Sequence, residues 1–149
     1  MSDSIIRYIP IEPTYRPSLE NARNAQRILR DCLPEAELIS AKTSDHVGFV
    51  DAGENWDGVI CLCCGADAEP WWGDAMSGCA ENKFSSLIVK AGCCGNEVSL
   101  NQLNYVWPVG FAVFVLEVLN PNHKGLTPEQ MKELSSAIGK PMREIFVHV

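Results

Sequence analysis

A chain of 149 residues, 46% hydrophobic and 21% charged, has enough apolar material to bury a core and the composition of a globular rather than a disordered protein. Its formal net charge of −7 repels phosphate backbones, and the lysines and arginines gather into no patch, so no nucleic-acid partner is expected. No apolar run reaches the ~20 residues that span a bilayer, and Met1 to Ser4 carry neither the basic nor the apolar region of a signal peptide, which predicts a cytoplasmic protein without a membrane role.

In chain order, Arg7 to Ile11 reads as a short strand closed by Pro10 and Pro13. Pro17 and Ser18 open a helix that runs to about Leu33. Along it Leu19, Ala22, Ala25, Ile28, Leu29 and Cys32 recur at three- and four-residue steps and make one apolar stripe. Cys32 on that stripe reads as a small core residue. Arg23, Arg27 and Arg30 share the solvated face with Glu20 and Asp31. Pro34 stops the helix. Leu38 to Ala41 and His46 to Val50 read as strands of a hairpin or meander, and Asp51 to Asn55 as a turn.

Val59 to Cys63 is apolar and strand-like. Glu69 to Met76 reads as a turn or the start of a helix, with Pro70 suited to the first helical position. Ser86 to Ala91 predicts a strand and Gly92 to Gly95 a tight turn. Ser99 and Gln102 fit a capping box for a short helix over Leu100 to Tyr105. Phe111 to Leu119, apolar nearly throughout, predicts a central strand covered on both faces.

The last helix carries the fullest set of signals: Thr127 as N-cap, Pro128 at the first position, Gln130 completing a capping box, Leu126 and Met131 as a staple, Gly139 as C-cap. Met142 to Val149 then returns as a strand. No repeat, low-complexity segment or linker is evident. The expectation is a single α+β domain over 1–149: a mostly antiparallel sheet, two long helices, and short helical turns near a cysteine cluster.

Seven cysteines in a reducing compartment read as thiols or metal ligands rather than disulfides. Cys61-Leu62-Cys63-Cys64-Gly65 contains C-x2-C-G. Two thiolates at that spacing in a turn grip one tetrahedral ion, and the glycine lets backbone amides approach the sulfurs. Gly92-Cys93-Cys94-Gly95 supplies a second half. The two halves lie further apart than the usual ~15–20 residues, a gap that an inserted helix absorbs. Adjacent Cys93 and Cys94 can share one ion only if the backbone bends, as Gly92 and Gly95 would permit. The expected ligands of a structural Zn2+ are therefore Cys61, Cys64, Cys93 and Cys94. Cys63, Cys79, His46 and His123 are alternatives for the fourth position. Two other readings stand beside this one: metal-free buried thiols, and a redox pair such as Cys61–Cys64 or Cys63–Cys94.

Glu117, inside the most apolar strand, is either a general acid or base or a carboxylate paired with an arginine. Asp51, Glu54 and Asp57 flank one turn and are weak candidates for a cation. Trp71 and Trp72 cannot both bury on one face of a helix or strand. An exposed member would suit partner binding, and the other reading is packing over the cysteines. Nucleophile-elbow, phosphate-loop, dinucleotide and zinc-protease motifs do not occur.

The cysteine halves resemble the knuckles of zinc ribbons. The chain also resembles small uncharacterised bacterial proteins that pair Cys61 to Gly65 and Cys93 to Gly95 with the segments Ser99 to Leu103 and Trp107 to Phe111. That resemblance implies no activity. Size, acidity and the absence of catalytic motifs suit a non-catalytic, zinc-stabilised module that binds a basic protein, as immunity proteins of bacterial toxin systems do. The alternative is a thiol-dependent redox enzyme or a metal-dependent enzyme built on the same cluster.

Overall fold

The computed structural model describes residues 3–149. Its frame is a four-stranded, wholly antiparallel sheet ordered β2-β7-β1-β8, from β1 (Ser4–Pro10), β2 (Leu38–Val50), β7 (Gly110–Leu119) and β8 (Met142–His148). Helices α1 (Leu19–Cys32) and α3 (Pro128–Ile138) pack together against it. The fold is α+β, as the sequence predicts.

Local chemistry sets the ends of both helices. Ser18 Oγ accepts from the Asn21 N–H at 3.1 Å at the start of α1. Thr127 and Gln130 exchange both bonds of a capping box at the start of α3, and Gly139 closes α3 with a φ of 100°. Their apolar stripes, Ala22, Ala25 and Leu29 from α1 and Leu134 and Ile138 from α3, meet Ile6, Tyr8, Phe114, Leu116 and Val118 of the sheet. Burying a leucine completely stabilises the fold by about 1.5–3 kcal/mol, so Leu29 and Leu134, both fully buried, anchor this layer. Tyr8 donates to Glu144 at 2.8 Å, and the same carboxylate oxygen accepts the Leu126 N–H at 2.9 Å, tying the approach to α3 onto β8. Burial, then the Glu144 charge, push the Tyr8 phenol well above its ordinary pKa.

A second layer lies between β2 and β7 in sequence. It consists of β3 (Val59–Ile60), α2 (Glu69–Glu81), β4 (Ile88–Lys90), β5 (Glu97–Ser99) and β6 (Asn104–Tyr105). Strand β3 pairs with β6 and β4 with β5, so each cysteine turn grows from a two-stranded ribbon. Its own core joins Cys61, Cys79, Ala91, Val98, Leu100 and Leu103 to Phe111 and Val113 of the main sheet. Strand β7 is thus covered on one side under α1 and α3 and, over Phe111 and Val113, on the other by the second layer, as its nearly continuous apolar run predicts.

Three local expectations change. Leu38–Val50 is one strand rather than two arms of a hairpin: both parts pair with β7, and the register shifts between Thr43 and Gly48. The polar stretch between the two expected strands holds this irregularity, and Arg16 binds the carbonyls of Ser44 and Asp45 at 2.9 and 3.0 Å. Glu69 starts a helix of 13 residues, about as long as the other two. Leu100–Gln102 is a single 3-10 turn followed by β6, and Ser99 Oγ accepts from Asn101 N–H instead of forming a capping box with Gln102.

Candidate metal centre

The first knuckle begins where β3 ends. The Cys61 N–H donates to Ala66 O at 2.9 Å and the Gly65 N–H returns to Cys61 O at 2.9 Å, closing a tight loop around Leu62, Cys63 and Cys64. Gly65 has a φ of 76°, a conformation open to glycine and costly for other side chains. The second knuckle repeats this after β4. The Ala91 N–H donates to Asn96 O and the Gly95 N–H to Ala91 O, both at 2.8 Å, and Gly95 has a φ of 75°.

The two segments therefore share one turn pattern and align position by position. Val59 matches Val89, Cys61 matches Ala91, Cys63 matches Cys93, Cys64 matches Cys94, Gly65 matches Gly95 and Asp67 matches Glu97. This is an internal repeat that composition and periodicity do not expose. Its visible sign in the sequence is the shared Cys-Cys-Gly, preceded at equal distance by valine.

The repeat brings Cys61, Cys64, Cys93 and Cys94 together, with all four sulfurs within 4.8 Å of one another. Cys61 Sγ lies 3.9 Å from Cys94 Sγ, and Cys64 Sγ lies 3.4 Å from Cys93 Sγ. Zn–S bonds of ~2.3 Å in a tetrahedron place sulfurs about 3.8 Å apart, close to these separations. The same distances are far beyond the ~2.05 Å of a disulfide, and all seven cysteines are free. Four cysteines at this spacing can hold a metal ion.

The surroundings act in opposite directions on Cys61 and Cys93. Backbone N–H groups, first that of Cys64 and then that of Cys63, hold the Cys61 pKa down at about 7 even though Cys61 is only 1% exposed. Asn96 Nδ2 donates to Cys94 Sγ at 3.4 Å. The Trp71 indole N–H is buried without a hydrogen-bond partner, and its influence on Cys93 is to favour the thiolate. Desolvation, together with contact with Cys64 and Cys61, nevertheless pushes Cys93 up to about 12. Four thiols packed this closely cannot all ionise without a cation among them.

Cys63, the exposed fifth thiol of the two turns, lies outside the four-sulfur group. Desolvation and then the charges of Cys61 and Cys94 raise its pKa. Of the other residues considered for the fourth position, Cys79 is buried on α2 in the second core, and His46 Nδ1 bonds to Val47 O at 2.9 Å. Neither these two nor His123 joins the cluster.

Glu117 is paired with an arginine: its carboxylate meets Arg7 at 3.2 Å, and Asp51 meets the same guanidinium at 3.4 Å. Glu54 bonds His148 at 3.4 Å. Two of the three turn carboxylates, Asp51 and Glu54, thus face Arg7 and His148 rather than one another. Trp71 and Trp72 are both half-buried and pack into the second core. A Cβ on Gly92 would stand 2.7 Å from Trp71 Cβ, so the Trp71 side chain lies directly against the second knuckle. Trp72 stacks near Trp56 with centroids 4.8 Å apart and donates to Tyr105 Oη at 3.1 Å. Trp71 thus packs against the second knuckle, while Trp72 joins an aromatic group with Phe49, Trp56 and Tyr105.

Comparison of the chain with protein-family models, with curated proteins and with solved structures returns no match. The functional reading therefore rests on the site itself. Among the described residues, no helix is long and apolar enough to cross a membrane.

Proposed function

We propose that the chain is a non-catalytic protein-binding module whose second layer is stapled by one structural Zn2+ on Cys61, Cys64, Cys93 and Cys94. The observation that carries this reading is the convergence of four sulfurs, from two knuckles with matched backbone hydrogen bonds, within 4.8 Å of one another. Tetrahedral all-sulfur sites favour zinc or iron, and a shell of four thiolates leaves no open position for a reacting water. The expected stoichiometry is one zinc per chain. Replacing Cys94 with serine should remove the metal and loosen the layer around it.

The partner we propose is a basic protein, on the strength of the net charge of −7. Reduced thiols at this density fit a cytoplasmic setting. Capture of partners from the native host at near-endogenous levels tests this part separately, and retention of no basic protein would contradict it.

The exposed Cys64 and Cys93, 3.4 Å apart, favour a second reading in which the cluster is a redox dithiol. Iodoacetamide labelling of the native, metal-loaded protein separates the two. Protection of all four ligands supports the staple, and one hyper-reactive ligand cysteine supports the enzyme.

A further inference from the structure

We infer that Cys63 is a reserve ligand, so that the site can hold its metal through either of two four-thiolate sets and exchange it by swapping Cys61 for Cys63. This inference rests on the metal-binding reading above and extends it.

The argument comes from the repeat. In each knuckle the first position is buried and anchors the turn through its backbone: Cys61 in one half and Ala91 in the other, each 1% exposed and each making the same pair of hydrogen bonds. The fourth position is cysteine in both halves, followed by a glycine with φ near 75°. The second knuckle has no thiol at its first position. It nevertheless brings two sulfurs into the cluster, because Cys93 at the third position turns inward and takes the missing place.

Cys63 is the third-position residue of the first knuckle, on the same backbone path as Cys93. What Cys93 does in the absence of a first-position thiol, the same loop geometry permits Cys63 to do when Cys61 releases the ion. The alternative set is Cys63, Cys64, Cys93 and Cys94, which is the more symmetric of the two. No redox change accompanies the exchange: one metal–sulfur bond forms as another breaks, and the proton on the incoming thiol passes to the outgoing thiolate or to water. A fifth thiol beside a surface site also gives an incoming chelator or partner thiol an associative route to the metal.

The test uses Co2+ as the probe, because its charge-transfer absorption counts bound thiolates. Cys61→Ala converts the first knuckle into the pattern of the second, and the buried Ala91 shows that this fold accommodates alanine at that position. Wild type, Cys63→Ser and Cys61→Ala should each give a four-thiolate spectrum. Cys61→Ala/Cys63→Ser should fall to three thiolates and lose at least the ~10–100-fold in affinity that loss of an outer partner costs a metal site.

Identical spectra and affinities for Cys61→Ala and the double variant would overturn the reserve ligand while leaving the metal site intact. Failure of wild type to bind Co2+ would instead overturn the site itself. Should Cys61→Ala not fold, transfer of Co2+ to excess EDTA decides. The inference requires slower release from Cys63→Ser than from wild type, and equal rates contradict it.

Discussion

Trp71 and Gly92 meet more closely than any side chain at position 92 would allow: an alanine Cβ would sit 2.7 Å from Trp71 Cβ and 2.8 Å from Cγ. Neither group can retreat, since Trp71 is fixed on α2 and Gly92 in the turn. Gly92→Ala should therefore cost about 1–3 kcal/mol by overpacking, read as a lower urea midpoint, with weaker metal binding in the same protein. An unchanged midpoint would mean that the turn moves freely.

Glu117→Gln is the contrasting case. Its partner Arg7 keeps Asp51, and the pair is partly exposed, so the change should stay within ~1 kcal/mol. At this scale the sequence points to the four thiols that converge but not to why Trp71 and Trp72 are neighbours. Their packing depends on Gly92 and Tyr105, which are distant along the chain.

The three helices differ in how far their sequences expose them. Helix α3 carries every end signal, and its capping box, its N-terminal proline and its Gly139 C-cap all form. Thr127→Ala should remove the capping box and cost about 1 kcal/mol, measured by urea denaturation, with little effect on metal content. Helix α2 contains Gly73 and Gly78 and buries only Cys79, so it shows no apolar stripe, and its full length is set by tertiary contacts with the second core. Strand β2 is hidden in the sequence for a related reason. Its middle bulges, and a polar bulge is locally indistinguishable from a turn. The knuckle repeat escapes periodicity because only its backbone and a few residues recur, with Ala91 standing where the pattern expects cysteine.

At the level of the molecule, the two layers depend differently on the cysteines. The core under α1 and α3 includes no residue between Ile39 and Phe114, whereas the second core includes Cys61 of the four-sulfur cluster with Cys94 packed against it. Metal removal should accordingly expose amides of the second layer to hydrogen exchange while β1 and β8 stay protected. Protection lost evenly across the chain would contradict that division.

Metal uptake should also release protons. At pH 8 Cys61, with its pKa near 7, is already mostly ionised, but Cys93, near 12, still carries its proton and must give it up to bind. Affinity should therefore fall as pH is lowered, and more steeply below pH 7, where Cys61 too is protonated. Calorimetry in buffers of different ionisation enthalpy counts these protons.

The most direct test of the central claim is metal content, by inductively coupled plasma mass spectrometry, of untagged protein purified under reducing conditions, with Cys94→Ser alongside. The proposed staple predicts close to one zinc per chain in the native protein and its loss in the variant, together with the order of the second layer. Native protein that is folded, reduced and free of metal would contradict the staple and leave the four thiols to redox chemistry.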